Sequence, residues 1–265
     1  VEDPMENREQ PVGKQWRWYT TTSGVWQTVF LEPRSPSFIR CFRFKTNIYA
    51  GTVQIDAECE QAAGHDIEVE IVSPTRQAQT ASIHVYQREG TCTAKLNQVS
   101  FWDPNKPDLY QVILRLQGSD GVLDTVRSYF GMRKIDFDRA KESGAPVSIR
   151  VNGTPRYLRG ALYQSFYPEG VYTAGSVETI KNDILCAKKF GFNFLRLHIK
   201  VDDPLLLHWA DKLGILLMAD FPNFGEGGDT PLGRKRFETM MRETIERDFN
   251  HPSIFAWCLF NETWG

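Results

Sequence analysis

Apolar and polar positions alternate with a period of two from Pro33 to about Asp136, and that alternation predicts strands. Val53, Ile55, Ala57 and Cys59 fall on one face of 52–59, and Phe38, Arg40, Phe42 and Phe44 take alternate positions in 38–47. The series continues through 67–72, 82–86, 91–99, 109–116 and 122–133. About seven short strands over about 100 residues predict a β-sandwich of immunoglobulin-like type. The Cys-Trp-Cys hallmark of antibody domains is missing, so the assignment is one of architecture. Ahead of this region, residues 1 to about 14 are polar and read as a loop. Strand-like composition follows at 16–20 and 25–32, around a turn at Ser23-Gly24.

A linker of small and charged residues at 138–146 marks a change of period. The hairpin signal Val151-Asn152-Gly153 precedes a short strand at 157–161. Ser176 caps a helix running to about Phe190, with Val177, Ile180, Ile184, Leu185 and Ala187 near helical spacing and Gly191 past its end. A strand at 192–198 follows, then a helix with Pro204 in its first turn and Gly214 as its stop. The next elements are a strand at 215–220, a helix at about 232–249 and a strand at 254–260. Strands alternating with helices predict right-handed βαβ units and a parallel sheet. The aromatic and β-branched run 254–260 reads as a strand buried on both faces.

In parallel α/β architectures the carboxyl ends of the strands handle ligands. Candidate chemistry gathers there. Asn261 and Glu262 end the last strand abruptly, and a proton donor must hold its proton near neutral pH, which an apolar strand end favours. Arg196 and His198 lie two apart on one strand and face the same side. Asp220 closes the third strand, and Arg159 closes the first. Trp264, just beyond Glu262, is a candidate stacking platform for a ring-shaped ligand. NFGEGGD at 223–229 is no phosphate cradle, because its glycine spacing is not GxGxxG and Glu226 and Asp229 would repel a phosphate.

The string RDFNHPSIFAWCLFNE at 247–262 resembles the acid/base signature of glycoside hydrolase family 2, the family of β-galactosidases, β-mannosidases and β-glucuronidases. SGVWQTVFLEP at 23–33 is similar to the close of that family's amino-terminal jelly-roll domain. WDPNKPDLYQVILRL and SYFGMRKI resemble the last strands of its sandwich domain. The resemblance implies that Glu262 is the general acid/base and that Asn261 hydrogen-bonds the sugar 2-hydroxyl. It also implies that Arg196 lies against the nucleophile, that His198 contacts sugar and that Asp220 supports the site. The His follows the Arg by two residues here, where many members have three. Tyr163 and Gln164 stand where the family commonly shows a His after the Arg-Gly pair of 159–160.

The expected organisation is therefore a jelly-roll remnant at 1–32, an immunoglobulin-like β-sandwich at 33–136 and the amino-terminal half of a (β/α)8 TIM barrel at 137–265. The expected activity is that of a retaining β-glycosidase, with the nucleophile on a later strand. Half-barrel edges would then be covered by a further segment or by self-association. A noncatalytic carbohydrate-binding or scaffolding module is the alternative. The chain opens on Val1 with neither initiator Met nor signal peptide, as an internal excerpt would.

Composition narrows the partners. A formal charge of −2 and a pI near 6.3 offer no basic footprint for nucleic acid. No apolar run approaches the roughly 18 to 20 residues that span a bilayer. Five cysteines without CxxC spacing argue against a disulfide framework and a zinc site, and buried free thiols are expected at Cys41, Cys59 and Cys92. No cofactor is implied, and the partner that the resemblance implies is a carbohydrate.

Overall fold

The computed structural model describes residues 9–15, 19–138, 148–224 and 227–262. These divide into two units, Leu31–Tyr157 and a second one formed by the described residues of Val1–Phe30 and Leu158–Gly265.

The period of two fixes the first unit. In the strand Thr52–Glu60, every second residue from Val53 is buried. This strand (β2) pairs antiparallel with β1 (Phe38–Asn47) and with β5 (Glu89–Lys95). A second sheet holds β4 (Ala78–His84), β3 (Asp66–Val72), β8 (Tyr110–Gly118) and β9 (Gly121–Phe130) in that order. Ile55 and Cys59 of the first sheet and Ile67, Leu114 and Phe130 of the second belong to one core cluster, so the two sheets form a sandwich. Tyr110 and Phe130 stack within it at 4.9 Å.

Short strands β6 (Trp102–Asp103) and β7 (Lys106–Pro107) lie outside the two sheets. A further small sheet joins β10 (Ile135–Phe137), β11 (Ile149–Val151) and β12 (Thr154–Arg156). Asn152 and Gly153 connect β11 to β12 with φ of 53° and 79°. That pair of positive values is the turn Asn-Gly favours in a two-residue hairpin. This small sheet groups with the sandwich, so the contact boundary falls after Tyr157 and not in the linker at 138–146.

The second unit is built on a parallel sheet, β13 (Gly160–Tyr163), β14 (Phe194–Leu197), β15 (Leu216–Asp220) and β16 (Ile254–Cys258), in sequence order. Helix α1 (Val177–Lys189) starts where the Ser176 hydroxyl accepts from the Thr179 N–H at 3.1 Å. Helix α2 (Pro204–Leu213) starts at Asp203 and ends on Gly214 at φ 75°. Helix α3 (Pro231–Asp248) is capped by Thr230. Ile180, Ile184, Leu206 and Ala210 pack on Leu195, Leu197, Leu217 and Ala219, so one face of the sheet is covered by helices. The period of two sends Arg196 and Met218 to the other face.

Two expectations about elements fail. Strand β16 is not buried on both faces: Ile254 is buried, 255–258 are half-buried, and Leu259 and Phe260 are exposed. Among the described residues no helix covers its second face. The composition at 25–32 suggested a strand, yet the segment is irregular, and the expected strand at 16–20 falls partly outside the described residues. The described parts of 9–30 group with the parallel-sheet unit. All five cysteines are free, but only Cys59 is buried; Cys41 and Cys92 are half-buried. No helix among the described residues is long and apolar enough to cross a membrane.

Candidate active site

A parallel sheet puts the carboxyl ends of all its strands on one edge, and the polar groups converge there. Asp220, the last residue of β15, has a side chain with no exposure to solvent. Arg196 Nε donates to both of its carboxylate oxygens, at 3.0 and 2.9 Å. His198, just past β14, faces it through Nδ1 at 3.1 Å. Arg196 and His198 together hold this buried carboxylate from two sides.

Burial, and then the positive charge of Lys14, lower the His198 pKa below the usual imidazole range, against the opposing pull of Asp220. The ring is therefore neutral near pH 7, and its contact with a carboxylate assigns the proton to Nδ1. Its exposure is 5%. The visible work of His198 is thus to hold Asp220. The bond to Asp220 raises the Arg196 pKa further, so the guanidinium is a fixed charge.

Arg196 carries the network outward. Its Nη2 donates to Asn261 Oδ1 at 2.8 Å. The Asn261 main-chain oxygen accepts from Asn223 Nδ2 at 2.9 Å. With Oδ1 turned to Arg196, the Asn261 Nδ2 is left without a partner among the described residues and points its donors away from the guanidinium. Glu262 follows, exposed, with its backbone at φ 48°. A left-handed φ on a residue other than glycine costs free energy and is found where the chain must present a side chain in one direction.

Arg159 requires a correction. The first strand starts at Gly160, after Arg159, and the Arg159 side chain donates to Gly191 O at 3.1 Å while its N–H donates to Asn193 Oδ1 at 2.8 Å. Both partners precede β14, so Arg159 belongs to the amino edge of the sheet, opposite Asp220. A shift of a few residues in the expected strand moved it from one edge to the other. Trp264 lies outside the described residues, as do residues 225–226 of the glycine-rich loop.

The amino-terminal segment also reaches this edge, which no local signal within it foretold. Val12 and Gly13 both donate their N–H groups to Asn223 O at 3.0 Å. Gln27 Nε2 donates to Val201 O at 3.3 Å, and the Thr173 hydroxyl donates to Trp26 O at 2.9 Å. Asn223, Val201 and Thr173 all follow strands of the sheet, so the segment crosses the strand ends. Lys200 and Asp202, both buried at this edge, were also missed. Their signal was the charged string Lys-Val-Asp-Asp directly after an apolar strand. No three potential metal ligands cluster among the described residues.

Two family profiles match the chain. One, described as glycosyl hydrolases family 2, covers residues 37–133, and the other, its TIM barrel domain, covers 149–265. The β-galactosidase 2 of Enterobacter cloacae is 26% identical over 91% of this chain and 25% of its own length. A β-galactosidase of Aeromonas hydrophila is 30% identical over 67% of this chain and 17% of its own length. Among solved structures, a β-glucuronidase from Ruminococcus gnavus in complex with D-glucuronic acid superposes with a TM-score of 0.72 at 22% identity, covering 87% of this chain and 38% of that one. The fold is thus shared, and the chain spans about a sixth to a quarter of the length of these curated relatives.

Proposed function

The chain belongs to glycosyl hydrolases family 2, and on that premise we propose that it carries the acid/base portion of the active site of a retaining β-glycosidase. Glu262 is the general acid/base in this reading. It protonates the leaving oxygen and later activates water against a glycosyl-enzyme intermediate. Asn261 directs its free amide donors to the sugar 2-hydroxyl, a contact that strengthens in the transition state. The observation that carries the reading is the chain of bonds from His198 and Asp220 through Arg196 to Asn261, which fixes the residue adjoining Glu262. Arg196 and Asp220 act as supports for that geometry.

A retaining reaction needs a second carboxylate about 5 Å from the first. Asp220 is held by Arg196 and His198 and has no exposure, and Asp202 is buried, so neither offers a nucleophile. We take the nucleophile to be a carboxylate beyond these strand ends, in the second half of an eight-stranded barrel of which β13 to β16 are the first half. Strands β13 and β16 are then edges to be covered by further strands or by a second copy. Relatives named β-galactosidase and β-glucuronidase support a β-glycoside as the substrate class.

Glu262→Gln in the full-length protein tests this directly. Turnover of glycosides with poor leaving groups should fall by about 100- to 10,000-fold, with activated aryl glycosides spared more. Equal losses on both substrates would remove Glu262 from the role. Sugar binding without turnover in the parent and unchanged by the substitution would favour a noncatalytic module. The 265-residue chain assayed alone should show no hydrolysis, and robust turnover by its monomer would overturn the half-barrel reading.

A further inference from the structure

Lys200 is 4% exposed. Its ammonium donates to the main-chain oxygens of Ser165 at 2.5 Å and Tyr172 at 2.8 Å. Four rings surround it: Tyr172 at 4.4 Å, Trp26 at 5.3 Å, Phe166 at 5.5 Å and Tyr167 at 5.8 Å. Asp202 stands 3.9 Å away. One buried cation therefore ties together three segments that are far apart in sequence: the loop after β13, the loop after β14 and the amino-terminal segment. It sits two residues beyond His198.

The backbone around it is held in a form that it would not choose. Ser165, Val171 and Ile199 have φ of 54°, 54° and 45°. For β-branched valine and isoleucine the left-handed region is a genuine outlier, which persists only where the surroundings enforce it. Gly13 completes the fit, because a Cβ there would lie 2.2 Å from Ile199 O. Tyr19 stacks on Phe166 at 3.9 Å and Trp26 meets Tyr172 edge-on at 4.4 Å, so the same segment is held by its own rings as well as by the cation.

We propose that Lys200 is a positioning residue: its ammonium clasps the segment containing Tyr19 and Trp26 across the carboxyl ends of β13 and β14, and so makes that segment a fixed wall of the sugar site. The proposal rests on the glycosidase reading for the word sugar, but the clasp itself does not. Neutral side chains could fill the space without bonding two carbonyl oxygens or attracting four ring faces.

The test uses the full-length protein and the variant Lys200→Ala, whose cavity admits a small alkylammonium. Limited proteolysis mapped by mass spectrometry should show cleavage within 19–30 accelerated by about tenfold, tracking the open population, while the rest of the molecule unfolds cooperatively as before. Millimolar propylammonium should restore protection and propanol should not. If Lys200→Ala does not fold, Trp26→Ala, which removes one ring, should show the same local cleavage. Unchanged cleavage in the folded variants, or equal rescue by propanol, would overturn the clasp. With aryl glycosides, KM should rise about tenfold in Lys200→Ala with kcat within about threefold, and propylammonium should reverse the rise. Restored protection without restored KM would overturn the wall. A parent protein inactive on every glycoside would instead defeat the proposed function, leaving the proteolysis result to stand on its own.

Discussion

Two buried carboxylates meet imidazoles at opposite edges of the parallel sheet, and only one of them belongs to the proposed site. At the amino edge, Asp211 of α2 faces His251 Nδ1 at 2.5 Å and accepts the Ser253 N–H at 2.9 Å. At the carboxyl edge, Asp220 faces His198 and Arg196. Both carboxylates have fully buried side chains. The difference lies in what the network leaves over. The bonds described at Asp211 go to the turn that starts β16. The bonds described at Asp220 run on through Arg196 to Asn261, whose amide donors meet no partner among the described residues, with the exposed Glu262 beside it. A buried carboxylate–imidazole pair is therefore no sign of function until its outward end is traced.

Substituting the two acids should separate these roles most sharply. Asp220→Asn in the full-length protein should lower kcat/KM by about 100-fold or more, because Arg196 loses its charged partner and Asn261 loses its fixed position. Asp211→Asn should leave kcat/KM of the folded protein within about threefold. Breaking a buried charged hydrogen bond costs up to about 3 kcal/mol, so its unfolding temperature should fall by several degrees. Kinetics and calorimetry on both variants would decide. Loss of activity in Asp211→Asn, with its folded fraction intact, would erase the contrast between the two edges.

The motif at 247–262 shows how far sequence could reach. Its Asn-His-Pro-Ser portion builds the amino edge and its Asn-Glu portion faces the carboxyl edge, so the resemblance marked a whole strand whose two ends do different work. Alternation located β1, β2 and β3, and capping residues located α1 and α2, because those signals are local. Arg159 was misplaced because strand boundaries are the weakest part of a periodicity reading. The amino-terminal segment was assigned by resemblance to a jelly-roll remnant, and its packing on the strand ends was not legible. Its hydrogen-bond partners, Asn223, Val201 and Thr173, lie about 150 to 210 residues away, and nothing in its own composition encodes them.

Two glycines carry the comparison to the backbone. Gly13 at the carboxyl edge has φ +59°, with Ile199 O 2.2 Å from where a Cβ would sit. Gly191 at the amino edge has φ +83° with open space around it. Gly191→Ala should cost about 1 kcal/mol, the ordinary penalty of a left-handed alanine after a helix. Gly13→Ala should cost more locally, and it should expose 19–30 to protease with little change in global unfolding, since the segment can lift away. Equal losses in global stability from the two would show that the amino-terminal segment unfolds with the sheet and is not a separable wall.

The smallest effect concerns pH, and its sign is unusual. Burial pushes the Lys200 pKa down to about 8, and burial also raises the Tyr163 and Tyr172 phenols and takes Tyr167 up to about 12. Between pH 8 and the unfolded lysine value near 10.5, the unfolded chain binds more protons at this position than the native one, so stability rises with pH. Above about pH 10 the unfolded tyrosines release protons that the native ones keep, which reverses the slope. Denaturant unfolding of the full-length protein should therefore show a shallow gain, below about 1.4 kcal/mol per pH unit, confined to pH 8 to 10. Lys200→Met should lose that gain. Lys188 at the amino edge is also lowered by burial, where it donates to Gly214 O at 2.7 Å, so Lys188→Met should remove a smaller part of the same rise. A stability curve that is flat or falling from pH 8 to 10 in the unsubstituted protein would mean that the cage around Lys200 stabilises its charge more than burial opposes it.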